Sequence, residues 1–286
     1  MDKIHVIVAV HNRINITRHF IKSLEAQSFK NIHLILIDDG STDGTYEMVS
    51  GSSLNKTIIR GDGNLWWGGA LHEAYLWLKR NDVDPEDFVL TANDDIKIDD
   101  KFIQNGIKIL TNELNTFLTA NGYDLNSGEH LDGTVFYNFV DGTSVLATHK
   151  HTANCASTRA LFFRVKDFLK VGGFHPILLP HYGSDYEFTI RAWRKGYQIL
   201  SDTELKYLVD KETTGYMNYI DLPAKDFTKK IFSKKSVFNP IYKITFIILA
   251  CPLKYIPINL IFQIKRYFKN VVLYIKRHLA VKMKDK

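Results

Sequence analysis

Apolar positions in the first 120 residues follow two alternating patterns. Short runs rich in β-branched side chains, each followed by polar or glycine-rich residues, predict strands at residues 4–10, 33–37, 57–60 and 88–91. The longer stretches between them have apolar residues every three or four positions and predict helices. This alternation is typical of an α/β fold with a Rossmann-like, mostly parallel central sheet flanked by helices.

The pattern changes after the fourth strand. Turn signals such as Asn-Ser-Gly and Asp-Gly recur between residues 123 and 148 and predict inserted hairpins. Residues 165–169 then have a helical pattern, and apolar or aromatic side chains recur at helical spacing from residue 186 to residue 197.

The last part of the chain is apolar and basic. Residues 244–253 form one uncharged run and residues 255–264 a second, with Lys254 between them and prolines at 252 and 257. Neither run is long enough to span a bilayer, and the interruption favours a broken, interfacial or re-entrant element. Residues 225–286 contain fifteen Lys and Arg against two Asp, whereas the rest of the chain is acidic. We therefore divide the chain into a body, residues 1–222, and a basic, apolar, helical tail, residues 223–286.

Composition excludes several classes of protein. With 286 residues, 45% hydrophobic, 24% charged, 7 Pro and 17 Gly, the chain is neither disordered nor of low complexity. Two cysteines cannot build a disulfide framework or a four-cysteine zinc cluster, so a reducing compartment is expected. The first apolar run is too short for a secretory signal peptide, and we predict a cytosolic protein.

Polar residues follow the predicted strands, and in open α/β sheets the ligand binds beyond the carboxyl ends of the strands. Asp38, Asp39, Asp94 and Asp95 are expected to meet there. Like charges so close together need a cation, and a diphosphate with Mg²⁺ or Mn²⁺ would supply both the cation and further oxygen ligands. Each aspartate pair taken alone is equally typical of helix caps and turns.

The order of these segments resembles a family 2 glycosyltransferase with the GT-A fold, of the rhamnosyltransferase-like type found in bacterial surface-polysaccharide synthesis. The resemblance runs from Lys3 to about Leu200. It depends on the HNR segment at 11–13, the IDDGSTDGT segment at 37–45, the NDD segment at 93–95, and GGF at 172–174 followed by SDYEF at 184–188 and Arg191.

The resemblance implies a nucleotide-sugar pocket. It makes Asp39 the partner of the nucleotide base, and Asp95 the residue that meets a divalent metal and through it the donor diphosphate. The chain departs from the family pattern at Asn93, where an acid is usual, so a ribose or metal contact is weaker or made differently. The other residues implied in the donor pocket are Val10, His11, Asn12, Arg13, Asp94 and Arg191.

The glycine-rich segment 61–69 is expected to lie against the donor. Its glycines allow a close backbone approach, and a tryptophan face suits a sugar. We expect one of Trp66 and Trp67 to serve the donor and the other to pack in the core. The donor residues predicted here are Gly63, Asn64, Trp66, Trp67 and Gly68.

Asp185 aligns with the general base of inverting members of the family. An acceptor hydroxyl needs a base to remove its proton as it attacks the anomeric carbon. An aspartate at a helix N-terminus is also a common structural feature. Arg191 meets either the diphosphate or Glu187, its neighbour one turn away. His181 is the candidate for an additional metal ligand, alongside Asp95.

The sequence thus predicts an inverting glycosyltransferase that moves a sugar from a nucleotide-diphosphate donor to a glycan, such as a lipid-linked oligosaccharide of O-antigen or capsule synthesis. The basic tail suggests a peripheral location on the cytosolic face of the inner membrane, without nucleic acid as a partner. Alternatives for the tail, ranked below the membrane, are packing on the body, packing on a second protomer in a homodimer, and binding of nucleic acid. Alternatives for the activity are a sugar nucleotidyltransferase and a non-catalytic binding protein of the same fold.

Overall fold

The computed structural model describes residues 2–147, 152–212, 231–234, 236 and 238–284, with side chains up to residue 276. The strands are β1 Ile4–Val10, β2 Ile32–Asp38, β3 Asn55–Arg60, β4 Phe88–Ala92, β5 Thr116–Asp124, β6 His130–Asp132, β7 Thr134–Asn138, β8 Thr143–Leu146, β9 Cys155–Ala156, β10 Ala160–Arg164 and β11 Gln198–Val209. The helices are α1 Ile14–Glu25, α2 Thr45–Ser50, α3 Trp66–Arg80, α4 Phe102–Asn112, α5 Val165–Val171, α6 Ser184–Arg194, α7 Pro240–Ala250 and α8 Ile256–Lys284, with a 3₁₀ turn at Leu253–Tyr255.

The central sheet has the order β11-β5-β10-β4-β1-β2-β3, with β6 added alongside β5. Strands β4, β1, β2 and β3 are parallel, and β11 is parallel to β5. Strand β10 is antiparallel to both of its neighbours. The predicted α/β fold with a mostly parallel sheet is confirmed. Strands β5, β10 and β11, which complete the sheet, were not predicted.

Both faces of the sheet are buried, which explains the continuous apolar runs of its strands. Val6 and Val8 of β1 face the apolar cluster that includes α1 and α4. Ile7, between them, faces a second cluster formed with α3, α5 and α6. The alternation along one strand therefore divides its side chains between two cores.

A small second sheet, in the order β8-β7-β9, joins the body to the tail. A third apolar cluster contains Tyr137 of β7, Ile190 of α6 and, from α7, the buried residues Phe246, Ile247 and Ala250. Arg194 of α6 donates hydrogen bonds to the Leu249 and Ala250 carbonyls at the end of α7, at 3.1 and 3.3 Å. Helix α7 therefore packs on the body, one of the alternatives left open by the sequence.

The tail is helical, as predicted, and the boundary predicted at residue 222 lies outside the described residues. Asn259 of α8 donates to the Phe139 carbonyl at 2.9 Å, which attaches the start of α8 to the body. None of the helices in the described ranges combines the length and the apolar character needed to cross a bilayer.

Candidate functional site

The carboxyl ends of β1, β2 and β4 meet at one edge of the sheet, because the three strands are parallel neighbours. Val10 at the end of β1 is in register with Asp38, and its carbonyl accepts a hydrogen bond from Asp39 N at 2.9 Å. Asp38 is fully buried, and its Oδ1 accepts a hydrogen bond from Ser41 N at 2.9 Å. Asp38 shapes the turn after β2.

His11 and Asn12 fasten the end of β1 to the turn after β2. His11 Nδ1 donates to the Asp39 carbonyl at 2.6 Å. Asn12 has a left-handed backbone, with φ of 51°, and its Oδ1 accepts a hydrogen bond from Thr42 N at 2.8 Å. Short polar side chains tolerate this conformation best. Both residues lie where the sequence placed the donor pocket, and both have structural partners there.

Asp39 organises the glycine-rich segment. Its carboxylate accepts hydrogen bonds from the backbone N–H groups of Gly63 at 2.8 Å, Leu65 at 3.2 Å and Trp66 at 3.0 Å. The side chain is buried, and a Cβ on Gly61 would lie 2.5 Å from its Oδ1. Sequence reasoning gave Asp39 a role towards the nucleotide base, and the structure adds a role in shaping the loop.

The two tryptophans occupy different environments. Trp67 Nε1 donates to Thr158 Oγ1 at 2.9 Å, and its ring packs against the core under the sheet. Trp66 begins α3 with φ of 58°, and its ring centroid lies 5.8 Å from that of His181. Trp67 is therefore the packing residue, and Trp66 lies beside the segment that leads to Asp185.

Gly68 lets the start of α3 approach this same segment closely. Its N–H donates to the Pro180 carbonyl at 2.9 Å, and a Cβ at this position would lie 2.6 Å from the Leu179 carbonyl oxygen. The glycine-rich segment and the segment before α6 are thus held together, backbone to backbone. Asn64, at the tip of the loop, donates its N–H to Asp62 Oδ1 at 2.9 Å.

Arg13 pairs with both acids that follow β4. Its guanidinium lies 2.9 Å from Asp94 Oδ1 and 3.3 Å from Asp95 Oδ2. Asp94 also accepts a hydrogen bond from the Thr17 hydroxyl at 2.7 Å. Burial raises the pKa of Asp94, whereas Arg13 and Thr17 favour its charged form. The chain itself therefore supplies a cation for the aspartate pair.

A divalent metal would fit at one atom of this pair. Asp95 Oδ1 is buried and accepts no hydrogen bond from the described residues. Hard cations prefer carboxylate oxygens and take phosphate and water oxygens as their other ligands. Among the described residues, His181 included, no three His, Cys, Asp or Glu side chains are grouped closely enough to hold a metal by themselves.

Asp185 is the second residue of α6, which begins after Gly183 in a left-handed conformation with φ of 83°. Burial raises the pKa of Asp185 to about 6, with repulsion from Asp132 adding to the rise and attraction to Arg159 opposing it. A carboxylate with a pKa close to neutral binds a proton more readily than an ordinary aspartate. Asp185 is therefore suited to the role of a general base.

Arg191 has a structural role, which corrects its placement among the donor-binding residues. Its guanidinium donates to Glu187 Oε1 at 2.8 Å and Oε2 at 3.1 Å. It also donates to the carbonyls of Val171 at 2.7 Å and Gly173 at 2.8 Å. These bonds hold the turn after α5 against α6 and engage the guanidinium on all sides.

Sequence reasoning missed a group of polar residues between Asp95 and Asp185. Asp132, at the end of β6, accepts hydrogen bonds from the hydroxyls of Ser157 and Tyr207, both at 2.6 Å. Arg159, just before β10, interacts with Tyr207, Asp132 and Asp95. The sequence offered no signal for them, because Asp132-Gly133 reads as a turn and Arg159 as an isolated basic residue.

Comparison with known proteins identifies the family and the fold. The sequence profile of the family described as glycosyl transferase family 2 matches residues 5–167, more than half of the chain. An uncharacterized glycosyltransferase of Rickettsia conorii is 45% identical over 56 residues, which are 20% of this chain and 9% of that protein. One of Rickettsia felis is 43% identical over 56 residues, with the same coverage. The matched segment thus spans about a tenth of the length of these curated relatives.

Solved structures share the fold across almost the whole chain. The mannosyltransferase PcManGT of Pyrobaculum calidifontis, in complex with GDP-Man and Mn²⁺, has a TM-score of 0.58 at 14% identity over 97% of this chain and 87% of its own. TarS 1-349 of S. aureus, in complex with UDP-GlcNAc, has a TM-score of 0.60 at 16% identity over 96% and 92% of the two chains. With the GT-A fold and the family profile both matched, this chain belongs to glycosyl transferase family 2.

Proposed function

We propose that this glycosyltransferase moves a sugar, with inversion, from a nucleotide-diphosphate donor to a hydroxyl of a glycan acceptor, and that Asp185 is its general base. The observation that carries the proposal is the environment of Asp185. Asp185 lies in the first turn of a helix that is held against the glycine-rich segment, and burial raises its pKa to about 6. One such carboxylate is what a single-displacement transfer needs.

In the proposed reaction, Asp185 takes the proton of the acceptor hydroxyl while that oxygen forms a bond to the anomeric carbon. The bond between this carbon and the donor diphosphate breaks in the same step, and the nucleoside diphosphate leaves with the bonding electron pair. Attack from the side opposite the leaving group inverts the anomeric centre. A carboxylate held in place by its helix needs no reorganisation for this proton transfer.

The nucleotide would bind over the ends of β1 and β2. Asp39 is nearly buried there, and its Oδ2 accepts a single hydrogen bond from the described residues, that of Trp66 N. A carboxylate oxygen can accept a second, so this atom retains capacity for an N–H of a nucleotide base. His11, Gly63 and Trp66 border Asp39 and would line the same pocket.

A Mg²⁺ or Mn²⁺ ion is proposed at Asp95, through the buried Oδ1 that has no hydrogen-bond donor in the described residues. Such an ion, when bound, would offset the negative charge of the donor diphosphate. Mn²⁺ is present in the solved structures of PcManGT and of GalNAc-T7, which share this fold. His181 would be at most an additional ligand, because its ring lies against Trp66 and Tyr182.

The acceptor and the location are proposed from the tail. Helix α7 exposes Ile241, Ile244 and Ile248 on the face opposite to its packed one. On α8, Phe268 and Ile275 are exposed next to Lys269 and Lys276. Apolar side chains between lysines are typical of helices that lie on anionic membranes. We therefore propose a peripheral location on the cytosolic face of the inner membrane and a lipid-linked glycan of surface-polysaccharide synthesis as the acceptor.

Calorimetric titration of the full chain with UDP-, dTDP- and GDP-sugars tests the donor proposal. Each titration is done once with Mn²⁺ and once with EDTA. Tight binding of one donor, strengthened by Mn²⁺, supports both the donor pocket and the metal at Asp95. Absence of binding to every donor under both conditions contradicts the proposal and favours a non-catalytic protein of the same fold.

A further inference from the structure

Arg159 is a charged residue inside the site that neither the sequence nor the reaction described above uses. It directly precedes β10, and its carbonyl accepts a hydrogen bond from Asn93 N at 2.9 Å. The backbone of Arg159 is thus paired with the segment that carries Asp95. Its guanidinium interacts electrostatically with both Asp95 and Asp185.

A hydrogen-bonded relay lies beside this guanidinium. Arg159 interacts with the Tyr207 hydroxyl, which donates to Asp132 Oδ2 at 2.6 Å. Asp132 is fixed in turn by the Ser157 hydroxyl at 2.6 Å and by Gly133 N at 2.9 Å. Burial and the neighbouring Asp132 both raise the pKa of Tyr207, so its hydroxyl stays neutral and keeps its proton.

The packing of Tyr207 shows that the relay is built into the sheet. A Cβ on Gly122 of β5 would lie 2.5 Å from the Tyr207 hydroxyl oxygen, so the absence of a side chain at Gly122 makes room for it. Tyr207 and Gly122 are in register across β11 and β5, and Gly122 is in register with Asp132 across β5 and β6. Three neighbouring strands therefore hold Tyr207 and Asp132 together beside Arg159.

Arg159 remains a cation in spite of its burial. Burial lowers its pKa, but Tyr207, Asp132 and Asp95 together raise it, so the cation is kept. A guanidinium has five N–H donors, and a single tyrosine oxygen cannot accept them all. Two parallel N–H groups match the oxygens of a phosphate. A donor diphosphate between Asp95 and Asp185 would bring its negative charge next to this cation.

We infer that Arg159 binds the sugar-side phosphate of the nucleotide donor, and that Tyr207 and Asp132 are positioning residues that aim its guanidinium. This inference rests on the proposed function. Arg159 is a permanent positive charge of the chain itself, so its contribution to binding remains when a metal ion is removed by EDTA.

The test compares nucleoside diphosphate with nucleoside monophosphate binding, by calorimetry in EDTA, using the base that the donor titrations identify. The wild-type chain is measured beside R159Q, R159K and Y207F. Arg164→Gln is the matched control, because Arg164 lies at the other end of β10 and donates to the Glu86 carbonyl, away from the site. Thermal unfolding of each variant monitors folding.

R159Q should weaken diphosphate binding by about tenfold or more and change monophosphate binding by less than about threefold. R159K keeps the positive charge, and Y207F keeps Arg159 but removes the hydroxyl beside it. The diphosphate affinities of both variants should lie between those of wild type and R159Q. R164Q should bind the diphosphate as tightly as wild type does. Equal binding of the diphosphate by wild type, R159Q and Y207F overturns the inference while the donor pocket stands. Equal losses for the two nucleotides overturn it also, because they indicate a structural role. A wild-type chain that binds no nucleotide overturns the proposed function itself.

Discussion

The surroundings of Asp185 suit a general base. Its helix fixes its position, and burial raises its pKa to about 6. Proton removal needs the charged carboxylate. Activity should therefore be complete above the pKa of about 6 and decline as the pH falls through it.

Asp185→Asn should leave donor binding within about twofold of wild type and lower the rate of donor turnover by about 10²- to 10⁴-fold, because the amide cannot accept the proton. The measurement is the release of nucleoside diphosphate, followed from pH 5 to pH 8. Asp100→Asn, at an exposed position, is the control. A variant at Asp185 that turns over at the wild-type rate would show that another group takes the proton.

A pair of buried histidines lies at the opposite end of the sheet from the site. His5 Nδ1 and His33 Nδ1 are 3.0 Å apart, His5 Nε2 is 3.1 Å from Asp87 Oδ2, and His33 Nε2 is 3.1 Å from the Thr57 hydroxyl. Burial lowers the pKa of both rings, that of His33 to about 4. The folded chain therefore keeps His33 neutral at pH values where the unfolded chain protonates it.

The neutral His33 of the folded chain contributes to the free energy of unfolding. This contribution is fully present above the ordinary histidine pKa of about 6.5 and is lost as the pH falls from there towards 4. Urea unfolding at pH 7.5 and pH 5.0 should show it. The loss of unfolding free energy between the two pH values should be about 2 kcal/mol smaller for His33→Gln than for wild type. His19→Gln, on the exposed face of α1, should behave like wild type. Equal losses of unfolding free energy in all three chains would show that protonation of His33 does not destabilise the fold.

Sequence motifs located residues whose partners are close in the chain or lie at strand ends. Asp39, Asp95 and Asp185 fall into this class. Arg159 and Asp132 do not, because they are 27 positions apart and come close only when β6 and β10 both pair with β5. The contacts that define their role are therefore not visible in either local segment.

At the scale of the element, the parallel strands were predictable because both of their faces are buried and their apolar runs are continuous. Strand β11 was not, since it carries exposed polar residues and a register shift between Ser201 and Lys206. A bulge of this kind breaks the two-residue period on which strand prediction depends.

Helix α7 is apolar on two faces, and only one of them is buried. Phe246 points into the third apolar cluster, where a Cβ on Gly183 would come within 3.4 Å of its ring. Ile244, two residues earlier, is 42% exposed. The same helix thus offers a matched pair of substitutions.

Phe246→Ala should lower the free energy of unfolding by about 3 kcal/mol or more, since it leaves a cavity in a packed cluster. Ile244→Ala should change it by less than about 0.5 kcal/mol. Urea denaturation of the two variants beside wild type gives both values. If the two substitutions had equal effects, α7 would not be docked on the body through Phe246.

At the scale of the whole molecule, an acidic body carries a strongly basic tail, and the apolar side chains that the tail leaves exposed lie among its lysines. Electrostatic attraction and apolar insertion should therefore act together on an anionic bilayer. Salt should weaken the electrostatic attraction and leave the apolar insertion unchanged.

The full chain should sediment with vesicles of phosphatidylglycerol and phosphatidylcholine, and several-fold less with phosphatidylcholine alone. The double variant Ile244→Ser, Ile248→Ser should lose most of this binding. Ile177→Ser, at an exposed apolar position on the body, is the control. Equal sedimentation of wild type and the double variant would exclude this face as the membrane contact. Concentration-dependent dimerisation that the double variant abolishes would assign the face to a second protomer.

Helix α7 packs against α6, so removal of the tail should also change the body. A shortened chain that ends before Asn239 would uncover the side of the third apolar cluster now covered by Phe246, Ile247 and Ala250, and Arg194 would lose the two carbonyls that it holds. The turn that presents Asp185 would then border water instead of a helix. With Asp185 in its proposed role, such a chain should lose turnover even in a detergent solution that contains no membrane.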